Sequence, residues 1–170
     1  MLTNLTQRGS AFCTTSGLLT AAGAGTVYNT TGTINYVIDG KISTKTAVTN
    51  GVTPTTDHVT GAAFPALIGG GSVANTPGYG CVVVWGLIAD GTVKCMMGPH
   101  ERLDMQGNFV RAPQFPSVPK EVAAFAYQVL KAGATASASG VTFGSSNWNA
   151  TGFTNAIVNV AHLPSRPQVS

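Results

Sequence analysis

The sequence predicts an all-β chain: an antiparallel β-barrel or β-sandwich of jelly-roll-like character with extended N- and C-terminal arms. Three observations predict it. The chain has 21 glycines and many threonines among its 170 residues, a composition that disfavours helix and suits strands and turns. Two Asp-Gly pairs, Asp39-Gly40 and Asp90-Gly91, lie between apolar runs, and that dipeptide supplies the positive φ angles a tight hairpin needs. The candidate strands are short and evenly spaced, as in a barrel or sandwich. A chain of this length buries about 70% of its unfolded surface and holds one core without staples. The predicted division is an N-terminal arm over 1–25, a β domain over 26–163 and a C-terminal tail over 164–170.

The elements follow in order. The arm carries Arg8 and a stretch through Ala11, Phe12, Leu18 and Leu19 that Thr14, Thr15, Ser16 and Gly17 interrupt, which makes a poor signal-peptide core. Tyr36-Val37-Ile38, Asp39-Gly40 and Lys41-Ile42-Ser43-Thr44 form a first hairpin. Gly69-Gly70-Gly71-Ser72 reads as a flexible loop. Cys81 to Ile88 and Thr92 to Met97 form a second hairpin about Asp90-Gly91. A two-residue turn there pairs Ala89 with Thr92, Leu87 with Lys94 and Trp85 with Met96. Cys81, Val83, Trp85, Leu87 and Met96 then share one face, and Val82, Val84, Ile88, Val93, Cys95 and Met97 the other. Both faces are apolar, which places this hairpin between two layers or beneath a neighbouring subunit.

Gly98-Pro99 ends that hairpin, Glu101 to Asp104 continues as a short polar strand, and Gln106-Gly107-Asn108 turns it back. Pro113, Pro116 and Pro119 mark an extended connector. Within Val122 to Lys131, the alternation of Phe125, Tyr127 and Val129 favours strand over a three-turn helix. Val141-Thr142-Phe143 is a further short strand, Gly144 to Asn149 a loop, Thr154 to Ala161 the last strand, and Pro164-Ser165-Arg166-Pro167 an extended tail.

Charge is sparse: 9% of residues are Asp, Glu, Lys or Arg, against about 25% in an ordinary soluble domain. On the surface expected for this mass, about one charge falls on every 520 Å², against one on every 180 Å² at usual composition. The charges also cluster, since Asp90 to Lys131 holds nine of the fifteen and Ala132 to Ser165 holds none. Such an exterior repels its own copies weakly and loses little hydration on contact, so it is read as a surface built to lie against other protein. Net charge is +3, but the cations are dispersed, which argues against direct nucleic-acid binding. No apolar stretch reaches the roughly 18 residues of a membrane span, so no membrane role is expected.

The chemistry-bearing residues form no recognisable constellation. His58, His100 and His162 lack ligand spacing with Asp57, Glu101 or Asp104, so no metal is expected. His100-Glu101-Arg102-Leu103-Asp104 is the one dense charged cluster; an acid–base site is the sharp reading and a solvated turn or intersubunit ion pair the bland one. Cys13, Cys81 and Cys95 match neither a disulfide framework nor a zinc pattern and read as buried, reduced thiols. The predicted register puts Cys81 and Cys95 on opposite faces, against a disulfide between them. Gly69-Gly70-Gly71-Ser72 lacks the Lys-Ser/Thr ending of a phosphate loop. The sequons at Asn4, Asn29 and Asn149 are expected by chance in a chain this rich in Asn and Thr. Asn147-Trp148-Asn149 is either a sugar-stacking platform or, the favoured choice, a structural plug or subunit contact.

Asp39-Gly40-Lys41, Phe64-Pro65-Ala66-Leu67, Asp90-Gly91-Thr92-Val93-Lys94, Gln114-Phe115-Pro116-Ser117-Val118-Pro119, Phe143-Gly144-Ser145-Ser146-Asn147-Trp148 and Leu163-Pro164-Ser165-Arg166-Pro167 occur in an order and style that resemble small virion proteins of tailed bacteriophages, encoded beside head genes. Within that group the chain looks most like a capsid decoration (cement) protein. The resemblance spans Ile34 to Pro167 and lies in composition and segment order. It implies a β-rich, often trimeric subunit that clamps the outside of the major capsid shell, with no catalytic residues to carry over. The expected setting is the virion capsid surface, the expected partners the major capsid protein and further copies of the chain, with no cofactor and no enzymatic activity. Phe12, Leu18, Leu19, Leu163, Pro164 and Arg166 are the candidate capsid or subunit contacts, and Trp85 and Trp148 candidate anchors in the core or at a subunit boundary. The alternatives are a tail, baseplate or head-fibre component that binds a glycan or receptor through Trp148, and a hydrolase using His100, Glu101 and Asp104.

Overall fold

A computed structural model describes residues 10–15, 19–21, 26–73, 75–147 and 150–168. Eleven strands run through them: β1 (Ala11–Cys13), β2 (Leu19–Ala21), β3 (Val27–Thr30), β4 (Ile34–Ile38), β5 (Lys41–Lys45), β6 (Gly51–Val52), β7 (Tyr79–Leu87), β8 (Val93–Met97), β9 (Glu101–Arg102), β10 (Ala123–Ala132) and β11 (Phe153–Asn159). The described residues contain no helix, and every strand pairing is antiparallel. The chain is therefore all-β, as its composition predicts.

A five-stranded sheet is the scaffold, in the order β11-β10-β7-β8 with β9 also on β7, and two three-stranded sheets, β1-β4-β5 and β2-β3-β6, accompany it. The stretch from Val122 to Lys131 is strand, and it pairs on one side with β7 and on the other with β11. A bulge between Ala124 and Ala126 adds one residue to β10. It turns Phe125 into the same core as Trp85 while Val122 and Ala124 join the opposite face.

The first hairpin forms as its dipeptide predicts. Ile38 pairs with Lys41 across Asp39 (φ 49°) and Gly40 (φ 75°), the two positive angles of a type I′ turn. The second corrects the prediction. Leu87 pairs with Val93 and Trp85 with Cys95, one residue out of the expected register. Here only Gly91 has a positive φ, 80°. Asp90 instead accepts the Thr92 N–H at 2.7 Å through its carboxylate, and the Gly91 N–H donates to the Ile88 carbonyl at 2.9 Å. The loop is thus the three residues Ala89-Asp90-Gly91 with a left-handed glycine at its end.

One extra loop residue flips every side chain of β8. Val93 and Cys95 join Cys81, Val83, Trp85 and Leu87, and Met96 joins Val82 and Val84. Cys81 and Cys95 therefore share a face, which removes the geometric reason first given against a disulfide. Distance supplies another. Cys95 lies opposite Trp85, four residues along β7 from Cys81, about 13 Å away at strand rise and beyond the roughly 7 Å limit for a disulfide. All three cysteines are free and buried, and burial pushes the Cys13 and Cys81 thiols up to about 12 and Cys95 well above its ordinary value.

The central hairpin does lie between two layers. On one face Trp85 meets Tyr28 at 5.2 Å and Phe143 at 5.6 Å, so residues from β3 and from the loops close over the sheet. Ile34 and Tyr36 of β4 join the same core. Among the described residues no second sheet covers the other face. Val82, Val84, Met96, Tyr127 and Val129 are covered by Phe109, by Phe115 and Val118 of the proline connector, and by Val160 and Leu163 after β11. Phe115 stands edge-on to Tyr127 at 5.1 Å, and the Tyr127 hydroxyl accepts the Gln168 N–H at 2.9 Å. The C-terminal tail thus runs back along its own sheet.

Three further expectations change. Within the predicted arm, the described stretches are sheet strands, with β1 on β4 and β2 on β3. Val141-Thr142-Phe143 is not a strand. Only Val141 bridges, to Leu67, and the Thr142 carbonyl accepts the Ser145 and Ser146 N–H groups in a turn that Gly144 (φ 78°) completes. Gly69 to Ser72 is not a free loop, since its four N–H groups donate to the carbonyls of Ser137, Gly133, Ala136 and Ala134. These glycines are there for close approach: a Cβ on Gly70 would overlap the Thr76 carbonyl oxygen.

Candidate docking cleft

β1, the proline connector and the segment after β11 meet on one face of the five-stranded sheet and build a cleft of about 350 Å³. β1 supplies Ala11 and Phe12, the connector supplies Phe115, Pro116, Val118 and Pro119, and the segment after β11 supplies His162, Leu163 and Pro164. Val122 and Ala124 reach it from the bulged end of β10. Each wall has a local cause. The prolines cannot join a ladder, so the connector stays extended and lies across the sheet. The Phe12 ring stacks on His162 with centroids 5.6 Å apart and planes 15° from parallel, which ties β1 to the C-terminal segment. The Ser10 hydroxyl donates to the Lys120 carbonyl at 3.4 Å and ties it to the connector.

The lining side chains are largely apolar but the exposed surface is almost evenly polar and apolar, with Lys120 and His162 as its titratable groups and no carboxylate. The cleft offers no carboxylate to act as an acid, a base or a metal ligand.

Of the candidate contacts, Phe12, Leu163 and Pro164 meet here although about 150 residues separate them in sequence. Arg166 lies just beyond them and is exposed. Trp85, 1% exposed, takes the core position of its two alternatives, and one candidate is corrected: Leu19 is 2% exposed. Both side chains are packed in the chain's own core. Leu18 and Trp148, and with Trp148 the sugar-stacking choice, lie outside the described residues. Sequence reasoning missed Phe115, Pro116 and Pro119 as cleft residues. The three-residue spacing of the prolines was the available signal, since an extended proline run must be satisfied by packing rather than by pairing.

The acid–base candidates His100, Glu101 and Asp104 lie on β9 and the residues flanking it. Asp104 caps its own turn, accepting the Gln106 N–H at 2.9 Å, the Asn108 N–H at 2.8 Å and the Asn108 side-chain amide at 3.2 Å. These amides, the Asn108 N–H foremost, hold its carboxyl below the usual range. Glu101 lies in the short strand β9, paired with Gly80. A second cleft holds Asp57, His58 and Lys94, but both Asp57 oxygens are occupied, one by the Val59 and Thr60 N–H groups and the other by the Met97 N–H at 2.8 Å. Among the described residues no group of three His, Cys, Asp or Glu side chains could hold a metal ion.

His100 is half-buried with no hydrogen-bond partner at Nε2, and burial pulls its pKa below the usual 6.5. The unfolded chain therefore binds a proton near pH 6.5 that the folded chain resists. Stability from this group is complete above that pH and falls as the pH drops through the window beneath it, by up to about 1.4 kcal/mol per pH unit. Urea midpoints measured from pH 7.5 to 5.5 should decline in the wild type and flatten in His100→Phe. A wild-type midpoint that rises on acidification across this range contradicts the assignment. Asp90 and Asp104, both shifted down from 3.8, lose their contributions only at lower pH.

Comparison with known proteins found no match to this chain among family models, curated proteins or solved structures.

Proposed function

We propose that this chain is a bacteriophage virion structural protein, a decoration subunit that binds the outer surface of the major capsid lattice and stabilises the head. The observation that carries the reading is the exterior: 8,555 Å² of accessible surface shared among fifteen charged side chains. Exposed Ile42, Val52 and Val110 add apolar contact area to it. The cleft at Phe12, Leu163 and Pro164 suits a segment of the capsid protein, because β1, the connector and the segment after β11 present apolar groups there together. Many modest contacts of this kind, repeated over a lattice, give firm attachment through avidity. Self-association, with a trimer favoured, belongs to the same proposal.

Co-sedimentation with empty heads built from the accompanying major capsid protein tests it, alongside mass photometry of the free chain. Saturable binding is expected, weakened at least about tenfold in Phe12→Ala, because the ring that walls the cleft is removed. A stable monomer with no affinity for the heads overturns the reading.

A further inference from the structure

The exposed sheet edges of this fold are treated unequally. The edge of β8 is closed by the segment at Asp57, where the His58 N–H donates to the Cys95 carbonyl at 2.9 Å and the Met97 N–H donates to the Asp57 carboxylate at 2.8 Å. At β2 the Asn159 side chain acts as a substitute strand, accepting the Leu19 N–H at 2.7 Å and donating to the Leu19 carbonyl at 3.3 Å. β5 ends its sheet and, among the described residues, pairs only with β4.

The register shows which of its groups face outward. In a two-residue hairpin the closing pair, Ile38 with Lys41, exchanges both hydrogen bonds. Alternation makes Tyr36 with Ser43 and Ile34 with Lys45 the other bonded pairs. The far side of β4 agrees, since the Asn35 carbonyl accepts the Thr14 N–H at 2.8 Å and the Asp39 N–H donates to the Ser10 carbonyl at 2.8 Å, both away from β5. Ile42 and Thr44 therefore aim their N–H and C=O groups out of the sheet. Ile42 is 76% exposed, so an apolar side chain stands beside them.

We infer that the outer edge of β5 is a strand-addition site for an extended, acidic segment of a partner protein. The charge pattern selects the occupant. Lys41, Ser43 and Lys45 share one face of the strand, with a lysine at each end. A second copy could pair antiparallel with all four outward groups satisfied only in the register centred on Ser43. That register sets Lys41 opposite the other copy's Lys45 twice, in non-hydrogen-bonded pairs where side chains approach most closely. Like charges so placed guard an edge against its own kind. A partner strand with carboxylates four residues apart replaces both repulsions by attractions, and a β-branched residue opposite Ile42 covers its exposed side chain. This edge is separate from the docking cleft, and the inference stands without the capsid reading.

The test is a titration of the full chain, followed by amide NMR, with the peptide Thr-Glu-Thr-Thr-Val-Glu-Thr and with the same peptide carrying lysine for glutamate. The expected result is protection of the Ile42 and Thr44 amides by the glutamate peptide, with affinity lower by roughly five- to tenfold for the lysine peptide. Lys45→Glu, checked for an unchanged spectrum elsewhere, should erase or reverse that preference. Equal affinity for the two peptides, no protection at Ile42 and Thr44, or protection without peptide because two copies pair through β5, each overturns the inference.

Discussion

Trp85→Ala is expected to remove most of the stability of this fold. The side chain is 1% exposed and sits on the central strand of the five-stranded sheet, against Tyr28 and Phe143. Truncating a buried tryptophan costs about 3–5 kcal/mol in lost burial and residual cavity. A second loss accompanies it. The Trp85 indole N–H donates to the Gln128 side-chain oxygen at 3.2 Å, and Gln128 is itself buried. Its orphaned carbonyl adds roughly 1–3 kcal/mol. Domains of this kind hold about 5–15 kcal/mol in all, so the variant should be largely unfolded or close to it at 25 °C. Urea denaturation followed by near-ultraviolet circular dichroism checks this. Trp85→Phe separates the two terms, because it keeps most of the ring and loses the donor. A drop of less than about 1 kcal/mol in Trp85→Ala would mean that this ring is not the centre of the core.

Gly78→Ala should be nearly as damaging, for a steric reason. Gly78 precedes β7, where β7 meets the end of β10, and a Cβ there would overlap the Ala132 carbonyl oxygen. The obstacle is backbone on both sides. The Gly78 carbonyl accepts the Leu103 N–H at 2.9 Å, and the next residue's N–H donates to the Ile68 carbonyl at 3.0 Å. The two strands must part locally, and we expect a loss of about 3 kcal/mol or more. Gly32→Ala is the control, since no atom lies within 4 Å of its Cβ position and its φ is not positive. That substitution should be neutral or stabilise by up to about 1 kcal/mol through the unfolded chain. Thermal melts of the two variants side by side decide the matter, and equal melting temperatures would contradict it.

Much of the fold was legible in residue order because its signals are local. Asp39-Gly40 carries its turn within two residues, and the structure closes Ile38 on Lys41 around it. Val122 to Lys131 reads as strand against its alanine content, and β10 forms there, although the bulge puts Phe125 on the opposite face from Tyr127 and Val129. The three prolines identified an extended connector. The second hairpin shows the limit. Asp90-Gly91 announces a turn, but whether it holds two residues or three depends on whether the aspartate enters the left-handed region or caps Thr92 from outside it. That choice is worth little locally and is settled by which face of β8 the neighbouring layers can cover.

The candidate contacts divide for the same reason. An apolar residue in a low-charge segment has the same appearance in sequence whether it faces a partner or its own core. Phe12 and Leu19, seven residues apart, went to different fates: a cleft wall and a buried position.

By itself, then, the sequence determined what backbone geometry and composition impose: strands without helices, the place of the turns, the course of the connector and the scarcity of charge. Tertiary structure alone decided the register of β8, the common face of Cys81 and Cys95, the closing of the second sheet face by proline connector and tail, and the meeting of Phe12 with Leu163 and Pro164. Those outcomes depend on contacts between residues far apart in the chain. Such contacts form only when the burial they complete outweighs the entropy of bringing distant segments together.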